Sequence, residues 1–240
     1  MPRSYSVTDI GRKRKMNQDY VFATDSPIGG LDNLYIVADG MGGHNAGEYA
    51  SAFSVEELKD LIMELGQAEI EIILHRALQE VNRRLRTVAA SDSRYYGMGT
   101  TIVIATVRGG ILYVANVGDS RLYLKKNRLR QITVDHSLVE EMVLAGTLDQ
   151  KNARRHPDKN VITRAIGAED TLEIDFFFFF FSDGNIVLMC SDGLTNMVED
   201  SEIEEILGSS KSLEEAGSVL LSKANENGGA DNISVLLVKI

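Results

Sequence analysis

The chain has 240 residues, 44% of them hydrophobic and 25% charged, which fits one large domain or two small ones and carries no disorder signature. A formal net charge of −10 weighs against a nucleic-acid or anionic-membrane surface as the main partner, and one cysteine, Cys190, excludes an internal disulfide framework. No run approaches the ~20 apolar residues that span a bilayer and no apolar signal core follows the basic run GRKRK, so a soluble, cytoplasmic, monomeric protein is expected.

Residues 5–10, 20–24 and 34–38 are short β-type runs separated by Gly, Asp and Pro. Two helices follow, over 46–65 and 69–90. The second carries Ile70, Ile73, Leu74, Ala77, Leu78, Val81, Leu85 and Val88 on one stripe. Residues 100–107, 111–117 and 121–125 are broken by Gly109-Gly110 and Gly118-Asp119-Ser120, which predicts an antiparallel meander. A short helix is predicted over 136–145. Residues 146–161 have no apolar period and read as a long polar excursion. A strand at 186–190, helices at 201–207 and 213–225 and a strand at 233–240 complete the pattern. It predicts an α+β layered sandwich, sheets inside and helices outside, in a single domain over 1–240.

One stretch resists this scheme. Phe176–Phe181 is six consecutive phenylalanines, of eight in the protein. As a strand it puts aromatics on both faces, which requires cover on both sides. A buried strand, an altered stretch of sequence and an aromatic docking patch are the three readings, and if exposed it is an uncharged aggregation hazard.

The chemistry lies in the acids at strand ends. LYIVADG (34–40) and IVLMCSDG (186–193) are apolar strands that end in Asp-Gly. NQD (17–19) enters a strand, GADN (229–232) precedes one, and Asp119 sits in ANVGDSR. Acids converging at neighbouring strand ends repel one another unless cations sit between them. Asp oxygens with almost no Cys suit a hard ion, Mg²⁺, Mn²⁺ or Ca²⁺, and the EF-hand spacing is absent. There is no P-loop, zincin or dinucleotide-binding motif. VADGMGGHNAGE (37–48) adds glycines in excess of what a turn needs, beside Asp39 and His44. They are expected to let the chain turn tightly around the charged site.

Seven blocks in order resemble the metal-dependent (type 2C) Ser/Thr protein phosphatases, particularly their compact bacterial form: TDIGRKRKMNQD (8–19), VADGMGGHNAGE (37–48), GMGTT (97–101), ANVGDSR (115–121), ITRAIG (162–167), CSDGLT (190–195) and GADNISVLLV (229–238). The resemblance implies a four-layer α-β-β-α sandwich, with two antiparallel sheets face to face and helices outside. It implies a binuclear Mg²⁺/Mn²⁺ centre on Asp19, Asp39, the Gly40 carbonyl, Asp192 and Asp231, with Asp119 helping to hold a third, weaker metal. Arg14 falls where the family clamps the substrate phosphate, and His44 where it carries the acid for the leaving alcohol. Residues 146–161 correspond to the family's variable flap, whose Arg154, Arg155, His156 and Lys159 either read substrate or are solvated.

The function implied is hydrolysis of phosphoserine and phosphothreonine by a metal-activated water. The partners would be phosphorylated proteins, the products of a Ser/Thr kinase. Two alternatives stand beside it: a metal-dependent small-molecule phosphoesterase on the same scaffold, and a catalytically dead regulatory module. Gln18 stands where some members have an acid, and Cys190 has the bland role of a small buried residue at a strand end.

Overall fold

Alternation along β3 (Leu34–Met41) sets the layering. Leu34, Ile36 and Ala38 face a helix pair, while Tyr35 and Val37 face a second sheet. The protein, a computed structural model, is described over residues 2–43, 46–181 and 184–240. One sheet runs β1 (Arg3–Asp9), β11 (Ile233–Lys239), β10 (Ile186–Cys190), β7 (Arg121–Lys125), β8 (Leu129–Gln131). The other runs β2 (Asp19–Thr24), β3, β5 (Ile102–Arg108), β6 (Ile111–Val117), β9 (Asp175–Phe180), with the two-residue β4 (Gly99–Thr100) pairing the end of β3. Every pairing is antiparallel.

Three apolar layers hold these parts together. Val103, Ala105, Val114, Met189, Leu236 and Val238 fill the space between the sheets. Helices α1 (Ala46–Leu65) and α2 (Ile70–Ser91) cover one outer face, burying the predicted stripe from Ile70 to Leu85 and leaving Val88 half-buried. Arg84 ties the two helices together, bonding Glu57 at 2.5 Å and Glu80 at 2.8 Å. Helices α6 (Asp200–Ser209) and α7 (Leu213–Glu226) cover the other face through Ile203, Leu207, Ala216 and Leu220, packed on Leu188, Val235 and Leu237. The layers are α-β-β-α, as the sequence leads one to expect.

Two expectations need correction. Residues 146–161 are not structureless: after α3 (Leu138–Leu144) the chain forms the one-turn α4 (Gln150–Ala153), anchored by buried Ala153. A four-residue helix is too short to show an apolar period. The phenylalanine strand is covered along one face and only at its start on the other. Phe177, Phe179 and Phe181 enter the inter-sheet core and Phe176 reaches the α1–α2 core. Phe178 stacks edge-on against Tyr113 yet stays 48% exposed, and Phe180 is 88% exposed. The reason is position: β9 is the edge strand of its sheet.

Candidate functional site

Antiparallel pairing decides where the acids meet. β2 begins and β3 ends at one end of the sandwich, with Asp19 directly opposite Asp39. β5 begins and β6 ends there too, and the chain then crosses to β7 of the other sheet through Gly118-Asp119-Ser120. In that sheet β10 finishes at Cys190, paired with Val235 near the start of β11. Asp192 therefore follows one strand and Asp231 precedes its neighbour, while α5 (Asp192–Thr195) begins at the acid itself.

Arg14, Asp39, Gly40, Asp119, Asp192 and Asp231 line one cavity of about 230 Å³. Asp19 is not in its lining; it is buried, with Oδ2 accepting a 2.7 Å bond from the Ser191 hydroxyl. His44 lies outside the described residues. The Arg14 guanidinium, exposed to solvent, donates to Asp231 Oδ2 at 2.7 Å.

The backbone around Asp39 is held from three sides. Its N–H donates to Thr101 Oγ1 at 3.0 Å, and its carbonyl accepts from the Thr101 N–H and the Thr100 hydroxyl, both at 2.9 Å. Thr101 Oγ1 lies 2.8 Å from Ser120 Oγ, which links Asp39 to the Asp119 crossover. Asn232 does the same for the Arg14 loop. Its amide donates to the Ile10 and Met16 carbonyls at 3.0 and 2.9 Å, and its oxygen accepts from the Gln18 N–H at 2.9 Å.

The glycines have a more specific use than turning the chain. A Cβ on Gly40 would lie 2.0 Å from the Gly47 carbonyl oxygen, and one on Gly47 2.6 Å from the Gly40 oxygen. Both are bare because the end of β3 presses on the first turn of α1. Gly42 has φ +148°, which favours glycine, whereas Gly43 meets nothing.

Charge is concentrated here. Burial first, and then neighbouring acids, raise Asp19 to about 7 and Asp119 to about 8, although bonds from Ser191 and Ser234 oppose the rise in Asp19. The same causes push Asp39 well above the ordinary carboxylate range. Asp192 rises to about 6, held back by Arg121, Lys159 and the amide of Asn196, which donates to its Oδ2 at 2.8 Å. Arg121 is a half-buried cation already committed to Asp135, at 2.9 and 2.6 Å. The local positive charge therefore falls short of the negative.

That imbalance fits a divalent cation, and so does the donor set, which is all hard oxygen. Asp19 Oδ1 is buried without a hydrogen-bond partner, as a group kept for another ligand would be. As the side chains stand, no three acids, His or Cys among the described residues gather into a closed cluster. Mg²⁺-type sites take only one or two carboxylates and fill the remaining positions with water.

Sequence reasoning passed over Thr101, Ser191, Asn196 and Asn232. They stand inside or next to the recognised blocks, and their value appears only once the strands bring them against an acid. Of the flap cations, Arg154 and Lys159 are tethers. Arg154 donates to the Thr195 carbonyl at 2.7 Å and pairs with Glu199 at 3.2 Å; Lys159 donates to Asn196 Oδ1 at 3.0 Å. His156 Nδ1 accepts from the Asp158 N–H at 3.2 Å, and Arg155 is exposed.

A profile of the family described as Protein phosphatase 2C matches residues 11–234. The serine/threonine phosphatase stp of Listeria monocytogenes is 46% identical over 239 residues, covering 97% of this chain and 93% of that one. The crystal structure of the serine/threonine phosphatase Stp1 from Staphylococcus aureus superposes with a TM-score of 0.92 at 35% identity, over 100% of this chain and 95% of that one. The catalytic domain of the phosphatase PstP, solved in complex with two manganese ions, gives 0.87 at 30% identity, over 99% and 97%. With the shared layers and the shared order of blocks, these matches leave one assignment: the chain belongs to the protein phosphatase 2C family.

Proposed function

We propose that this chain is one catalytic domain that hydrolyses phosphoserine and phosphothreonine in proteins with Mg²⁺ or Mn²⁺. The observation that carries the reading is the meeting of Asp39, Asp119, Asp192, Asp231 and Arg14, from separate segments, around one cavity. Asp39, the Gly40 carbonyl, Asp192 and Asp231, with Asp19 behind them, would hold two ions, and Asp119 with Asp192 would help to hold a third. Divalent ions bound there lower the pKa of water to near neutrality and offset charge on a phosphoryl group.

The protein's own residues supply position. Asn196 and Thr101 fix Asp192 and the Asp39 backbone before substrate arrives. Arg14, placed on Asp231 by the Asn232 staple, transfers its planar fork to the phosphoryl oxygens as the phosphate enters. His44 is assigned the proton for the leaving Ser or Thr oxygen. Cys190 takes no part, since burial pushes its thiol far up and leaves no thiolate.

Arg14 is half-exposed on the same cavity that Asn160 of residues 146–161 borders, which favours a phosphoprotein made by a Ser/Thr kinase over a small molecule. The test is phosphate release from a phosphothreonine peptide. Turnover is expected with Mn²⁺ and its loss with chelator; turnover unchanged under chelation would overturn the reading.

A further inference from the structure

The cavity that holds the acids is bordered by Asn160 of residues 146–161, and a neighbouring second hollow is lined by Gln150, Ala153, Arg154 and Lys159 of the same segment. The two share Asp119 and Asp192, and the second hollow shares Arg154 and Asn196 with a groove lined by Lys151, Arg155 and Glu199. The three hollows are thus neighbours, in a row from the acids to the protein surface along one side of residues 146–161. The outer end of the row is basic in a protein of net charge −10, for residues 146–161 hold four Lys and Arg against two Asp.

The cations along this row are of two kinds. Arg154 and Lys159 are bonded to Thr195, Glu199 and Asn196, and they hold the flap against α5. Lys151 and Arg155 are exposed, and both line the groove without any described ion pair. Glu199, the acid on the groove floor, is neutralised by Arg154, and Asp158 lies against His156. The two outer cations therefore meet the groove with their charge unspent.

We propose that Lys151 and Arg155 are specificity-determining residues that select phosphopeptides with an acidic side chain within a few residues of the phosphoserine or phosphothreonine. The inference rests on the phosphatase reading above. A peptide whose phosphate sits at the acids must leave the cavity past some wall; the second hollow mixes Asp135 and Glu140 with Arg121, Arg154 and Lys159, and at the outer groove the charge left without an ion pair is that of Lys151 and Arg155. An acidic flank gains there, a neutral one gains nothing, and a basic one is repelled. Exposed pairs of this kind are weak singly, so the effect belongs in KM and falls with salt.

The experiment measures hydrolysis of three phosphothreonine peptides, flanked by Glu, Ala or Lys, with Mn²⁺. The enzymes are the wild type, Lys151→Ala/Arg155→Ala and Lys151→Glu/Arg155→Glu, with p-nitrophenyl phosphate as a flank-free control. For the wild type, KM for the acidic peptide is expected to be about fivefold lower than for the neutral one, with kcat equal. The alanine variant should abolish the difference and the glutamate variant reverse it, both with unchanged turnover of p-nitrophenyl phosphate. Equal KM values in the wild type would overturn the inference and leave the phosphatase intact. An acidic preference that survives in both variants would overturn the assignment and move it to the exposed neighbours of Arg14 in sequence, Arg12, Lys13 and Lys15. No Mn²⁺-dependent turnover of p-nitrophenyl phosphate would overturn the phosphatase reading and this inference with it.

Discussion

At the scale of the residue, Asp19 and Asp39 face each other across β2 and β3 where like charges oppose folding. Asp19, Asp119 and Asp192 titrate at about 7, 8 and 6 in the folded protein, against an ordinary value of 3.8. Between those limits the folded chain binds more protons than the unfolded chain, so its stability falls as pH rises. In chelator, the melting temperature is expected to drop from about pH 5 to about pH 8, and added Mn²⁺ to restore it most at the upper end. A melting temperature in chelator that rises over this range would contradict the assignment. The acids themselves were legible in the sequence, because Asp-Gly after an apolar run recurs at Asp39 and Asp192. Asn232 and Thr101 were not, since each works by bonding backbone that lies far away in sequence.

At the scale of the element, the junction of β3 with α1 is the tightest part of the site. Gly40 and Gly47 touch through backbone oxygen that no side-chain rotation can relieve. Gly40→Ala is expected to destabilise the protein by about 3 kcal/mol in urea unfolding, by overpacking. Gly43→Ala, where a Cβ meets nothing, should be tolerated. Equal effects at the two positions would show that the glycines serve the turn and not the packing. The excess of glycine was visible in VADGMGGHNAGE, but not its cause, for nothing in that stretch says that α1 folds back onto the strand that precedes it. Long elements with clear periods, such as α2, β6 and β10, were read closely. The one-turn α4 and α5 carry too few residues to show a period.

At the scale of the whole molecule, the two sheets put every candidate site residue that is described at one end. The opposite property, an unprotected edge, lies on β9. Among the described residues no strand pairs with its outer edge, and Phe178 and Phe180 are exposed with no charge between Phe176 and Phe181. Phe180→Lys is expected to lower light scattering on concentration or heating and to leave phosphatase activity unchanged; scattering equal to wild type would show that the edge is harmless. The layered architecture could be read from the order of strands and helix pairs, whereas the exposure of β9 depends on its place at the sheet edge, which no local pattern records. What gives the whole arrangement its purpose is the set of acids, and calorimetric titration of Mn²⁺ tests it most directly. Wild type should bind, and Asp39→Asn, with its fold intact by circular dichroism, should lose affinity by roughly 100-fold or more. Equal Mn²⁺ affinity in the two proteins would contradict a metal centre built on Asp39.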